Sequence, residues 1–267
     1  MKVQNKVIVV TGGGSGMGRE LVLNLLLKGA TVVALDVNKS ALEETLALAG
    51  DRKAFLATYV LDITNKEAVE QCVDKMITLH NHVDGLINNA GIIQPFIKVN
   101  DLAYEAVERV MNVNFYGTLY MVKTLLPHLL TRPEAHIVNV SSMGGFLPVP
   151  GQTIYGASKA AVKLLTEGLH SELVNTNVKV SVVFPGAVNT NISKNSGLNN
   201  PRQSTEESKS IKVLSSKQAA QIIIDGIEQN RYRILVGKDA RFMDLFYRFN
   251  PKSASGFISK KMQRLLK

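Results

Sequence analysis

The sequence predicts a doubly wound α/β fold, a parallel β-sheet of about seven strands with helices on both faces. Three observations predict it. Short apolar, β-branched runs recur near residues 5–10, 31–36, 54–60, 83–88, 135–141, 178–184 and 232–236. Amphipathic stretches separate these runs, and strands that alternate with helices imply a parallel sheet covered on both sides. Glycine-rich or polar motifs stand at the carboxyl ends of the runs, where such a sheet binds ligands. A length of 267 residues suits one α/β domain. No repeat of solenoid spacing and no low-complexity tract interrupts it.

The first run, Lys6 to Val10, leads directly into Thr11-Gly12-Gly13-Gly14-Ser15-Gly16-Met17-Gly18, and helix-forming residues follow from Arg19 to Lys28. Strand, glycine loop and helix in that order let the backbone approach a pyrophosphate, with free N–H groups and a positive dipole end at the helix start. Glycine clusters also serve simply as turns, so the flanking strand and helix signals carry this reading. The second run ends in Asp36, twenty residues beyond Gly16. A carboxylate there can accept hydrogen bonds from an adenosine ribose and repel a 2′-phosphate, which favours NAD over NADP. Val37 and Asn38 follow, so no basic residue directly after Asp36 would hold a phosphate. The alternative is that Asp36 caps the helix beginning near Lys39. Asp62 has a similar alternative, as cap of the helix from Lys66 to His80.

The run 135–141 closes at Ser142 into the turn Met143-Gly144-Gly145, and Tyr155-Gly156-Ala157-Ser158-Lys159 begins thirteen residues later. Tyr155 and Lys159 are four apart on a predicted helix and share a face. A tyrosine of ordinary pKa, about 10, is a poor base at neutral pH. A nearby ammonium favours the phenolate, and this tunes a general acid/base. Ser142, at a strand end, can point toward the same reacting oxygen. A helix-surface Tyr–Lys pair is the alternative, and the glycine loop and Asp36 weigh against it.

With these residues in place, the chain resembles the classical short-chain dehydrogenase/reductase family over residues 1 to about 237. The matching elements are Thr11-Gly12, Gly16 and Gly18, Asn88-Asn89-Ala90-Gly91, Asn114, Ser142, Tyr155 and Lys159, and Pro185-Gly186-Ala187-Val188-Asn189-Thr190. The resemblance implies a single Rossmann-type NAD-binding and catalytic domain over 1–237 that transfers a hydride between NAD(H) and an alcohol or carbonyl. It implies Tyr155 as catalytic acid/base, Lys159 lowering its pKa and holding the nicotinamide ribose, Ser142 orienting the substrate oxygen, and Asn114 holding a relay water. Cofactor contacts are implied for Gly12, Ser15, Gly16, Met17, Gly18, Asp36, Asp62, Ile63, Asn89, Ala90, Gly91, Pro185, Gly186, Val188 and Thr190, besides Tyr155 and Lys159. Asn112 competes for the role of Asn114, and Asn114 could instead bond a helix carbonyl. An NADPH-dependent carbonyl or 3-oxoacyl reductase is the runner-up. A non-catalytic dinucleotide-binding sensor or scaffold is the alternative outside enzymes.

The polar segment 190–215 reads as a substrate lid, with Met143, Gly144, Phe146, Gln152 and the neighbours of Phe184 expected along the pocket. The single cysteine, Cys72, lies on a predicted helix and reads as packing. With no signal-peptide pattern, it suggests a reducing, cytoplasmic setting. The five histidines are scattered without ligand spacing, so no metal is expected.

Residues 238–267 depart from the family pattern as a basic amphipathic extension. From Arg231 onward ten Lys or Arg stand against two acids, +8 of the chain's net +9. Phe242, Leu245, Phe246 and Phe249 fall at i, i+3, i+4 and i+7, so two short helices broken near Asn250-Pro251 are predicted. The extension could pack on its own domain or a sister subunit of a homodimer or homotetramer, cover a lipophilic or hydroxyacyl substrate, or touch a membrane surface peripherally. Its aromatics line an apolar face, so no nucleic acid is expected.

Overall fold

The structure, a computed structural model, describes residues 1–198 and 213–262. A parallel sheet runs through it in the order β3-β2-β1-β4-β5-β6-β9. Its strands are β1 (Val7–Thr11), β2 (Thr31–Asp36), β3 (Leu56–Val60), β4 (Gly85–Asn88), β5 (Ala135–Val140), β6 (Val178–Pro185) and β9 (Arg233–Val236), all close to the predicted runs. A two-residue ladder, β7 (Val188–Asn189) with β8 (Leu214–Ser215), stands apart from the sheet. All five residues of β1 and all six of β5 are buried. Strands covered on both faces must be apolar throughout, so continuous β-branched runs become strands here.

On one face lie α1 (Gly16–Leu27), α2 (Lys39–Leu48) and α8 (Ser216–Glu228), whose Leu21, Leu25, Leu42, Ile223 and Ile224 pack on Ile8, Val10 and Val32. The opposite face is covered by α3 (Lys66–His80), α5 (Gly117–Leu130) and α6 (Thr153–Glu172), through Val69, Val73, Met121, Leu125 and Leu169 against Val9, Val33, Leu86 and Ile137. Each fully buried leucine in these layers contributes about 2 kcal/mol of transfer free energy. The remaining helices are α4 (Tyr104–Met111), the short α7 (Ile192–Asn195), α9 (Lys238–Phe249) and α10 (Pro251–Met262).

Strand order reverses between β1 and β4, so a crevice opens beyond their carboxyl ends. One boundary differs from expectation. The first helix begins at Gly16, not Arg19, because Gly16 takes the left-handed turn from which the helix can start directly. The apolar stripe read for α9 is divided, with Phe246 packed inward beside Met243 and Ile258. Ala240, Met243 and Asp244 turn inward, while Phe242, Leu245 and Phe249 are exposed.

Candidate active site

The glycine loop forms one wall of the crevice. Gly12 and Gly16 have φ of 69° and 52°, left-handed backbone that glycine adopts without a Cβ clash. A Cβ on Gly12 would meet Ala90 Cα at 3.0 Å, and one on Gly18 would collide with the Gly12 carbonyl. Thr11 locks the loop to the next strand end. Its Oγ1 accepts from the Asn89 and Ala90 amides, both at 3.0 Å, and the Asn89 side chain donates to its carbonyl at 3.1 Å. No side chain caps α1, and its first turn carries no acid. Those open amides at the positive end of the helix suit a phosphate. The Ser15 hydroxyl accepts from Asn195 Nδ2 at 2.8 Å, which links the loop to α7 across the crevice.

At the rim of the same cavity, of about 800 Å³, Asp36, Asp62 and Ile63 lie beside the loop. Asp36 Oδ2 accepts from the Gly14 amide at 2.9 Å and Oδ1 from the Asn38 amide at 3.0 Å. A carboxylate has about four acceptor positions, so further donors can be met. Asn38, not Asp36, caps α2, through the Ala41 amide. The cap of α3 is likewise Asn65, while Asp62 accepts from the amide and hydroxyl of Thr64 at 2.9 and 2.8 Å in a local turn. Both carboxylates are therefore free of the capping duty that was the alternative for each. Arg19 is occupied too, paired with both oxygens of Glu44 at 2.8 and 2.6 Å and donating to the Gly14 carbonyl.

At the other end of the cavity Ser142, Tyr155 and Lys159 converge. Ser142 Oγ accepts from the Gly144 amide at 3.0 Å, and its hydroxyl donates to Tyr155. A Cβ placed on Gly144 would touch both, Tyr155 Cε1 at 3.4 Å and Ser142 Oγ at 3.5 Å. Burial pushes the Tyr155 phenol above its ordinary value, with the Ser142 hydrogen bond opposing it. Lys159 is 3% exposed, donates to the Val140 carbonyl at 2.9 Å, and is lowered by burial to about 8. Burial is the larger influence on the phenol and holds it toward the protonated form.

Asn114 sits in a π-helical turn, Asn112–Tyr116, between α4 and α5, a helix defect that often marks functional positions. Its Oδ1 accepts from the Ile92 amide at 2.9 Å, and its Nδ2 donates to the Ile92 carbonyl and to Ser158 Oγ at 3.0 and 2.9 Å. Lys159 Nζ and Asn114 Oδ1 lie 3.1 and 3.2 Å from the point a Gly91 Cβ would occupy, so Gly91 keeps that corner open. Asn114 is fully buried, whereas its competitor Asn112 is exposed.

Pro185, Gly186, Val188 and Thr190 line the cavity beyond β6. This loop is held from behind by Asp239, whose Oδ2 accepts from the Ala187 amide at 2.7 Å. A Cβ at Gly186 or at Gly237 would collide with the Asp239 carboxylate, so two glycines clear space for it.

Two positioning residues escape motif reading. One is Asp239, in the extension. The other is the fully buried Gln94, whose Oε1 accepts from the Ile154 and Tyr155 amides at 2.8 and 2.9 Å and so caps the helix that carries the tyrosine. Only its polarity amid an otherwise apolar stretch could have flagged it. Gln152 donates to the Gln94 carbonyl at 2.8 Å instead of lining the cavity, and Met143 and Phe146 pack against the C-terminal helices. The lid expected at 190–215 lies partly outside the described residues. Its described part includes α7, and just after it Ser196 Oγ accepts from the Ile93 amide at 3.0 Å. Cys72 is buried, and burial raises its thiol. Among the described residues no group of three or more His, Cys, Asp or Glu could hold a metal ion, and no helix is long and apolar enough to cross a membrane.

An uncapped helix start, a glycine cradle without room for side chains and a rim carboxylate fit a dinucleotide along this crevice. Comparison with known proteins agrees. A model of the short chain dehydrogenase family matches residues 6–201. SadH of Mycobacterium tuberculosis is 34% identical over 262 residues, covering 96% of this chain and 95% of its own. The 3-oxoacyl-[acyl-carrier-protein] reductase FabG of Thermotoga maritima is 34% identical over 190 residues, 71% of this chain and 77% of its own. A Burkholderia phymatum short chain dehydrogenase/reductase solved with NAD superimposes with a TM-score of 0.81 at 28% identity, covering 93% of this chain and 96% of that one. A Burkholderia cenocepacia short chain dehydrogenase solved with NADP gives 0.81 at 25%, covering 97% and 99%. A seven-stranded parallel sheet, a glycine cradle at its switch point and a Ser–Tyr–Lys cluster at its strand ends thus coincide with matched sequence, and the chain belongs to the short-chain dehydrogenase/reductase family of oxidoreductases.

Proposed function

We propose that this protein is an NAD-dependent oxidoreductase that interconverts an alcohol and its carbonyl compound, with Tyr155 as the general acid/base. The observation that carries the reading is the convergence of Ser142, Tyr155 and Lys159 on one end of the cavity whose other end holds the glycine loop and Asp36. When bound, the nicotinamide supplies a hydride acceptor for the alcohol carbon. Once the phenol has released its own proton, the Tyr155 phenolate takes the hydroxyl proton as the C–H bonding pair leaves, so the carbonyl forms with charge balanced. In reduction the protonated phenol returns that proton to the oxygen. Ser142 orients the substrate oxygen by hydrogen bonding. Lys159 holds positive charge beside the tyrosine, which favours the phenolate as the proton leaves. Asn114 fixes the Gly91–Ile92 corner next to Lys159 and holds the water that relays the proton outward.

NAD is favoured over NADP because Asp36 places a carboxylate at the rim and Arg19, the guanidinium closest in sequence to the loop, is committed to Glu44 and Gly14. Related structures carry either cofactor, so the choice rests on these residues. The FabG relative supports a second reading, a 3-oxoacyl or carbonyl reductase using NADPH. Association as a homodimer or homotetramer belongs to the proposal. The deciding experiment is a fluorescence titration with NADH and NADPH followed by a screen of alcohols with NAD, read by NADH absorbance. NADH should bind about tenfold more tightly, or better. Tighter NADPH binding would move the assignment to the second reading, and turnover of no alcohol or carbonyl would favour a cofactor-binding scaffold.

A further inference from the structure

The C-terminal helices leave one face without a partner. Their inner sides are used, since Met243, Ala254 and Ile258 pack on Leu147, with Met143, Phe146, Phe246 and Tyr247 around them. On the outer side Phe242, Leu245 and Phe249 are 59, 58 and 82% exposed, and their spacing of i, i+3 and i+7 puts them on one side of α9. Phe257 of α10, 47% exposed, continues this ridge through Phe246. The Phe242 and Phe246 rings are 5.8 Å apart, and the Phe246 and Phe257 rings 6.3 Å.

Charge on these helices is sorted by side. Lys238, Arg241, Arg248, Lys252, Lys260 and Lys261 are all exposed around the ridge, and Lys261 Nζ lies 6.0 Å from the Phe257 ring centre. Both acids of the segment turn inward. Asp239 accepts from the Ala187 amide, and the buried Asp244 pairs with Arg233 at 2.7 Å and with Arg248 at 3.1 Å. The outward face is therefore apolar and cationic with no carboxylate of its own. A second copy presenting the same face would set like charge against like. Residues 1–230 hold 21 Lys or Arg against 20 Asp or Glu and offer no compensating excess.

We propose that the outer face of α9 and α10 docks on an anionic lipid surface. The phenylalanine ridge enters the boundary between headgroups and acyl chains, and the surrounding lysines and arginines meet the lipid anions. This inference does not rest on the oxidoreductase assignment, because its readout is lipid binding. The test is co-sedimentation of the full chain with vesicles of phosphatidylcholine plus phosphatidylserine, against pure phosphatidylcholine. The chain should pellet with the anionic vesicles and be released as salt rises. A Phe242→Ser, Phe249→Ser double variant should lose tenfold or more of the binding, as should a Lys238→Gln, Arg241→Gln, Lys252→Gln triple variant. All five side chains are exposed, so thermal unfolding should stay where it was, and a variant that melts early is replaced by its single substitutions. Equal binding to neutral vesicles, binding that survives both variants, or no binding at low salt would overturn the proposal. If the phenylalanine variant instead converts an oligomer to monomers in light scattering without any lipid binding, the face belongs to another copy of this chain.

Discussion

Asp36 and Asp239 perform the same local chemistry on opposite walls of the crevice, and they differ in what the carboxylate faces next. Each accepts a hydrogen bond from an amide of a cavity-lining loop, Gly14 at 2.9 Å and Ala187 at 2.7 Å. Each also sits where a glycine omits its Cβ, since a Cβ on Gly14 would lie 2.8 Å from Asp36 Oδ2, and one on Gly186 would strike the Asp239 carboxylate. Asp36 opens onto the cavity, so it can both anchor a loop and select a cofactor. Asp239 stands behind its loop in the first turn of α9 and can only anchor. Similar loop clamps therefore carry different consequences, set by which side of the loop holds the charge.

The largest effect should come from neither clamp. Tyr155→Phe removes the proton acceptor while leaving Gln94, Asp36 and Asp239 in place, so turnover should fall by about 10²–10⁴-fold while NADH affinity by fluorescence stays within about twofold. Loss of both would mean that Tyr155 shapes the cofactor site, and retained turnover would remove it from the chemistry.

The two aspartates also mark how far the sequence could be read. Asp36 ends a predicted strand at a fixed distance from the glycine loop, so one βαβ unit contains both the signal and its meaning. The Tyr155–Lys159 spacing and the seven apolar runs are local in the same way. Asp239 meets an amide 52 positions earlier in the chain, and Gln94 caps a helix about sixty positions later. Such pairings arise only after the sheet has ordered its strands, so no short-range pattern carries them. The role of the α9 stripe stayed open for a related reason. Periodicity shows that a helix has an apolar side, but the contact surface of Met143, Phe146 and Leu147 decided how much of it was buried, and it received Met243, Tyr247 and, from the stripe, Phe246.

Asp36→Asn should sharpen the comparison at the selecting clamp. An amide oxygen can still accept from Gly14, but the amide NH2 then faces the Asn38 N–H that the second carboxylate oxygen accepted from, so melting should fall slightly while the charge that repels a 2′-phosphate disappears. NADH affinity should drop and NADPH affinity rise, narrowing their ratio by about tenfold, the scale of one charged hydrogen bond. Paired titrations of wild type and variant check this. An unchanged ratio would mean that Asp36 only holds Gly14, and would reduce it to the role assigned to Asp239.

Asp239→Ala should have the smallest effect and is the sharper test of a pure anchor. Removing the carboxylate leaves the Ala187 amide without its acceptor, at a cost of about 1–3 kcal/mol if the amide stays dry. The loop can recover part of that by shifting Gly186 toward water, so cofactor affinity should weaken by a few-fold, up to about tenfold. Asp239 also lies in the first turn of α9, where a negative charge stabilises the helix by about 0.3–1 kcal/mol. The two roles separate in Asp239→Asn, which restores an acceptor for Ala187 but not the charge. If the anchor dominates, Asp239→Asn recovers NADH affinity while keeping the small loss in melting temperature. If the helix charge dominates, both variants melt alike and bind NADH as the wild type does, and the extension then contributes packing to the crevice but no control of its loop.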